Sequence, residues 1–188
     1  MGTEKKLILI GASTGGPGHL KKIFTSLGRE FKTPIVVAQH MNEAFVSSFV
    51  KQFSDELDKK VVLVNKREKI VNDTLYVCAK SCKFLKEHRE LFLEDAIFCK
   101  SYFNPSIDLL FNSALNLVGE YKILAVLLTG IGSDGAISLS ELQKKGACCV
   151  AESEKSAIVY GMPKVAKELN KDIEILCLDS IIEKMKNF

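Results

Sequence analysis

The sequence predicts a doubly wound α/β fold: a mainly parallel sheet with helices on both faces and one antiparallel β-hairpin, in a Rossmann-like three-layer sandwich. Three observations predict it. Apolar runs of four to six residues recur along the chain, mostly continuous rather than alternating, as in strands buried on both faces of a parallel sheet. Segments with helical spacing lie between many of them. Three of the runs lead directly into short segments bearing a serine, a histidine and an aspartate.

The elements follow in order. Leu7–Ile10 is the first strand-like run, and Leu20, Ile23, Phe24 and Leu27 form a helical stripe after it. Ile35–Ala38 is the second run, followed by a stripe of Phe45, Phe49, Phe53 and Leu57. Val61–Val64 and Leu75–Cys78 are the next strands. Residues 79–104 hold short polar-apolar pieces, such as Glu90–Glu94 and Ala96–Lys100, and predict an inserted β-hairpin. Ile107, Leu110, Phe111, Ala114 and Leu117 form a third helical stripe, opening after Pro105 with Ser106 as N-cap. Ile123–Leu128 is a strand, and Gly146 ends the helix that carries Leu139 and Leu142. Ala147–Ala151 and Ile173–Leu178 complete the strands. No linker, repeat or low-complexity stretch divides the chain, so residues 1–188 are expected to form one domain.

Composition narrows the function classes. An apolar fraction of 47% and a charged fraction of 26% are ordinary for a globular protein. No apolar stretch approaches the roughly 20 residues of a membrane span, and the N-terminus lacks a signal-peptide pattern, so the expected location is the cytoplasm, without membrane insertion. Cys78, Cys82, Cys99, Cys148, Cys149 and Cys177 contain no C-x-x-C pair and read as reduced thiols rather than a zinc site. The net charge of +3 comes with lysine clusters better explained by solvated helix faces than by nucleic acid. A mildly basic rim suits an acidic protein partner.

Chemistry concentrates at three strand ends. Gly11-Ala12-Ser13-Thr14-Gly15-Gly16 follows the first strand, Gln39-His40-Met41 the second, and Gly130-Ile131-Gly132-Ser133-Asp134-Gly135 follows Ile123–Leu128. In a doubly wound fold, ligands bind beyond the carboxyl ends of the strands. Ser13, His40 and Asp134 are therefore expected at one sheet edge. Gly11, Ser13 and Gly15 match G-x-S-x-G, in which a tight strand-to-helix turn lifts the serine above the sheet and the next helix points its N–H groups at the same spot. His40 is placed to act as general base and Asp134 to orient it. Other readings stay open. Ser13 or Thr14 can be only a helix cap, Asp134 only an N-cap, and His40 only structural. The two glycine-rich turns can instead cradle phosphate or a nucleotide, although neither a Walker loop nor G-x-G-x-x-G is present. His19, beside a helix face already defined by other residues, and His88, in a charged loop, are weaker candidates. The order Ser–His–Asp excludes the standard α/β-hydrolase order.

At these residues the chain resembles the catalytic domain of the CheB family of chemotaxis protein-glutamate methylesterases. Ile10–Pro17 (IGASTGGP), Ala38–Met41 (AQHM), Pro105–Phe111 (PSIDLLF), Leu127–Ala136 (LLTGIGSDGA) and Val159–Pro163 (VYGMP) carry the resemblance in order, over nearly the whole chain. It implies Ser13 as nucleophile, His40 as general base and Asp134 as its orienting acid. It implies hydrolysis of glutamyl γ-methyl esters, and deamidation of glutamines, on the cytoplasmic helices of methyl-accepting chemoreceptors. No metal and no organic cofactor is implied. Oxyanion and substrate-positioning groups are expected at Thr14, Gly15, Gly16, Ile131 and Gly132. Three positions depart from the family pattern: Ile131 stands where methionine is usual, Asn42 where proline is common, and residues 79–83 replace a Pro-Gly-Gly-type turn. The family commonly carries an N-terminal receiver domain. Met1 lies only six residues before the first strand, so the chain as given is expected to escape gating in cis and to be constitutively active, with any receiver acting in trans.

Overall fold

The structure, a computed structural model, describes residues 4–96 and 101–188. Its elements are β1 (Lys6–Ala12), α1 (Gly16–Leu27), β2 (Ile35–Gln39), α2 (Glu43–Glu56), β3 (Lys60–Val64), β4 (Glu68–Lys69), β5 (Thr74–Cys78), β6 (Cys82–Glu87) and β7 (Glu90–Asp95). Then come α3 (Ile107–Ser113), continued by a 3-10 turn (Ala114–Leu117), β8 (Lys122–Leu127), α4 (Ala136–Lys144), β9 (Cys148–Glu152), α5 (Met162–Leu169), β10 (Glu174–Leu176) and α6 (Leu178–Lys186).

Seven strands pair in the order β10-β9-β8-β1-β2-β5-β3, every pairing parallel. β1 shows why its run is continuous. Leu7 and Leu9 pack into the core on one face, while Ile8, Ile10 and Ala12 pack into the core on the other. Neither face meets water, so no position can be polar. The second face is covered by α1, α2 and α6, the first by α3, α4, α5 and the hairpin β6–β7. The chain winds from β1 outward through β2 to β5 and β3, then returns to β8 on the opposite side of β1. Strand order therefore reverses between β1 and β8, and a crevice opens beyond their carboxyl ends.

All seven expected strands are present, and the hairpin lies within the expected insertion. β6 and β7 turn at His88, which has φ 52°, and pair with β4 in a small antiparallel sheet. Of the piece Ala96–Lys100, all but Ala96 lies outside the described residues, as does Cys99. The other five cysteines are free thiols. Ser106 caps α3 by accepting the Leu109 N–H at 3.3 Å, and Gly146, with φ 97°, closes α4. Asn42 caps α2 through the Ala44 N–H at 3.0 Å, a role that proline could not fill.

Two readings need correction. The buried face of α2 is Val46, Val50 and Phe53, with Phe49 partly buried, while Phe45 is 68% exposed. Phe45 lies one residue, about 100° of helix rotation, from Val46, and the broad stripe turns on Val46 in its first turn. The run Ile173–Leu178 is strand only through Leu176. Leu178 instead opens α6, whose buried face of Leu178, Ile181, Ile182 and Met185 has helical spacing. A buried-against-exposed contrast within α2 checks the first correction. Phe53→Ala, opening a cavity at a side chain 2% exposed, should lose about 3–5 kcal/mol in urea-denaturation free energy. Phe45→Ala should change it by less than about 0.5 kcal/mol.

Candidate active site

The parallel register brings the three strand ends together. β1 ends beside β2 and β8, with Gly11 level with both Ala38 and Leu127. Each run of the sheet then hands its next residues to the same crevice. The His40 N–H donates to Ala12 O at 2.9 Å, and the Ser13 N–H donates to Thr129 O at 3.0 Å. The backbone of the β2 turn and of the β8 turn is thereby tied to the β1 end on either side.

The side chains meet there. His40 Nδ1 lies 3.2 Å from Ser13 Oγ, and His40 Nε2 lies 2.7 Å from Asp134 Oδ2. With a carboxylate facing Nε2, the neutral ring carries its proton on Nε2 and presents the Nδ1 lone pair to the serine hydroxyl. This uses the imidazole in the opposite sense to the chymotrypsin template, where Nε2 takes the serine proton. Phe103 stacks flat on the ring, with centroids 4.9 Å apart and 4° between planes, so the imidazole is clamped on one face.

Asp134 is held more tightly than its partners. It is 3% exposed. Its Oδ2 also accepts the Ile107 N–H at 2.7 Å, and its Oδ1 accepts the Asp108 N–H at 3.0 Å. Asp134 thus caps the start of α3. The open possibility that Asp134 caps the helix directly after it does not hold: α4 starts from Gly135, with no side-chain cap. Likewise α1 starts from Gly15 without a side-chain cap, so neither Ser13 nor Thr14 is spent in that way. Two glycines admit α3 this closely. A β-carbon at Gly11 would lie 2.4 Å from Ile107 Cγ2, and one at Gly135 equally close. Ser106 and Ser81 extend the support, since the Ser106 N–H donates to Ser81 Oγ at 2.9 Å.

The turn that carries Ser13 is fixed through its carbonyls. Ser13 O accepts from Gln39 Nε2 at 2.9 Å and from the Gly16 N–H at 2.8 Å. Thr14 O accepts from Thr129 Oγ1 at 2.8 Å. In a trans peptide the next N–H points opposite to the carbonyl. The Thr14 and Gly15 N–H groups are therefore aimed away from Gln39 and Thr129, while the Gly16 and Ser13 N–H groups are already engaged. Gly130 lies against this turn so closely that a β-carbon there would fall 2.5 Å from Ser13 Cβ. Ile131 is exposed at the same rim, beside Gly132 with φ 90°.

Several residues here carry no signal by residue type alone. Gln39 and Thr129 fall inside the blocks that carry the family resemblance, which is the one sequence signal for them, while Ser106 is also legible as the cap of α3. Phe103 and Ser81 have none. His19, set aside in the sequence, is in fact buried, against Glu152. His88 is exposed at its turn, as expected.

The electrostatics of Asp134 follow from these contacts. Burial alone would raise its pKa, but the His40 bond and the Asp108 and Ile107 amides outweigh it and hold the carboxyl below its ordinary value. A depressed folded-state pKa contributes stability that is complete above the unfolded pKa and is lost as pH falls through the folded one. Wild type should therefore lose more stability than Asp134→Asn as pH drops from about 5 to below about 4. Thermal melts across that range check it.

The chain matches the CheB methylesterase family over residues 8–185. It is 33% identical over 186 residues to "Protein-glutamate methylesterase/protein-glutamine glutaminase 1" of Carboxydothermus hydrogenoformans, covering 96% of this chain and 54% of that protein. It is 35% identical over 184 residues to the protein-glutamate methylesterase/protein-glutamine glutaminase of Bacillus subtilis, covering 96% and 51%. The chain spans about half the length of the curated relatives it matches. Its fold matches the crystal structure of the Thermotoga maritima CheB methylesterase catalytic domain with a TM-score of 0.89 at 26% identity, covering 98% of this chain and 99% of that one. A parallel sheet whose order reverses at Ser13 and Asp134, and these matches over nearly its whole length, place this chain in the CheB methylesterase family.

Proposed function

We propose that residues 1–188 act as one catalytic domain, a serine hydrolase that demethylates glutamyl γ-methyl esters of chemoreceptors. The observation that carries this reading is the continuous contact from Ser13 Oγ through His40 to Asp134 at the switch point of the sheet. The names of the relatives support hydrolysis of protein glutamyl methyl esters and add deamidation of protein glutamines as a second activity.

The residues define the steps. Ser13 Oγ attacks the ester carbonyl as its proton passes to His40 Nδ1. Asp134 keeps the Nε2 proton in place and balances the imidazolium that forms. The Thr14 and Gly15 N–H groups receive the developing oxyanion, each aimed by an anchored carbonyl before the substrate arrives. The tetrahedral centre collapses, methoxide leaves, and His40 Nδ1 gives it the proton, so methanol departs. Water then attacks the acyl-serine with His40 as base, releasing glutamate and restoring Ser13. Ile131 and Gly132 border the mouth as substrate-positioning groups. The partners in this reading are the cytoplasmic receptor helices and a regulatory receiver domain or protein in trans. The site of action is the cytoplasm, and no helix of the described residues is long and apolar enough to cross a membrane. A phosphate cradle in the two glycine-rich turns is not favoured, because it gives His40 and Asp134 no task.

Methanol release from a methylated receptor tests the reading. Wild-type chain should release methanol and Ser13→Ala should not. Asp134→Asn should lower kcat by about 10³- to 10⁴-fold. Equal release from wild type and Ser13→Ala would overturn it.

A further inference from the structure

Behind the nucleophile turn lies a buried polar cluster that the ester chemistry does not use. Glu152, the last residue of β9, is fully buried. Its Oε2 accepts the Thr129 N–H at 2.8 Å, and its Oε1 accepts the Ser156 hydroxyl at 2.7 Å. Ser156 Oγ is itself fixed by the Leu178 N–H at 2.9 Å. From the first turn of α1, His19 Nδ1 comes within 3.3 Å of Oε2, outside hydrogen-bond geometry. His19 is 9% exposed. A carboxylate removed from water is costly unless its oxygens are satisfied and its charge is answered. Here both oxygens accept hydrogen bonds, and an imidazole stands beside them.

Thr129 connects this cluster to the site. Its carbonyl accepts the Ser13 N–H at 3.0 Å, and its hydroxyl donates to Thr14 O at 2.8 Å. The hydroxyl also accepts the Val159 N–H at 2.9 Å. The Thr129 N–H is the atom by which Glu152 holds this residue. Loss of the acceptor would strand a buried N–H and loosen the residue whose carbonyl takes the Ser13 N–H and whose hydroxyl fixes Thr14 O.

We propose that Glu152 is a positioning residue for Ser13 and the oxyanion-side amides, acting through Thr129. The inference rests on Ser13 being the nucleophile. Glu152 touches no substrate. It sets the geometry in which the turn can react, and an acceptor at this position, rather than its charge, is the essential feature.

The test is the rate at which a fluorophosphonate probe labels the intact chain, with the labelled residue located by mass spectrometry. Wild type should label at Ser13. Glu152→Leu, which removes the acceptor at similar volume, should label about 10- to 100-fold more slowly, somewhat less than the loss of a whole oxyanion donor. Glu152→Gln should stay close to the wild-type rate. Glu152→Asp, which draws the acceptor back by one methylene, should slow labelling as well and carries the test if Glu152→Leu fails to fold; Thr129→Val, which keeps the N–H that Glu152 holds but loses the hydroxyl on Thr14 O, should also slow it, and Thr129→Ser should not. Met185→Ala, on the buried face of α6, should lower the melting temperature yet keep the wild-type rate. Wild-type rates in Glu152→Leu or Thr129→Val, or an equal loss in Met185→Ala, would overturn the inference alone. Absence of Ser13 labelling in wild type would overturn the hydrolase reading and this inference with it.

Discussion

The Asp134 carboxylate, seated on the first amides of α3, is where fold and site depend on one another. It comes from the turn after β8, yet it caps a helix from another part of the chain. That cap locks α3 over the carboxyl ends of β1 and β8. The close fit of Ile107 against Gly11 and Gly135 is its steric counterpart, since any side chain at either glycine would push α3 away. With both amides satisfied, the carboxylate can be buried and still remain charged, and His40 finds a fixed acceptor at the edge of the sheet. The same interaction thus completes the core and orients the base.

The nucleophile turn follows a related logic on the other side of His40. Its reactive groups point outward because its carbonyls are held from within, by Gln39 and by Thr129. Preorganisation of this kind costs nothing at the moment of reaction, since the donors do not have to reorient as charge develops. It also explains why so much buried polarity gathers here. Gln39, Thr129 and Glu152 lie in or close to the ends of parallel strands, where apolar residues would otherwise be expected, and each makes at least one hydrogen bond to a backbone group of the turn or of its support.

Much of this was legible in the sequence, for a physical reason. A strand buried on both faces must be continuously apolar, so the seven runs identify themselves, and reactive residues directly after such runs must lie at one edge of a parallel sheet. Ser13, His40 and Asp134 are readable on those grounds. What surrounds them is not. The support given by Glu152, Ser81 and Ser106 depends on contacts between segments far apart in the chain. Asp134 reads locally as a cap for the next helix, and only the tertiary fold sends it to α3. The α2 stripe misreads at Phe45 because aromatic residues mark a face in sequence only when burial decides their position, and Phe45 is exposed. α6 hides behind β10 because Leu178 serves equally well as the end of an apolar run or the start of a helical stripe.

The central claim is that Ser13, His40 and the Thr14–Gly15 amides form one preorganised acyl-transfer site. A crystal structure of the chain carrying a phosphonyl group on Ser13, a mimic of the tetrahedral centre, tests it most directly. The account predicts the phosphonyl oxygen within about 3.1 Å of the Thr14 and Gly15 nitrogens, with His40 still bridging Ser13 and Asp134. An adduct on another residue, or a phosphonyl oxygen turned away from both amides, would contradict it.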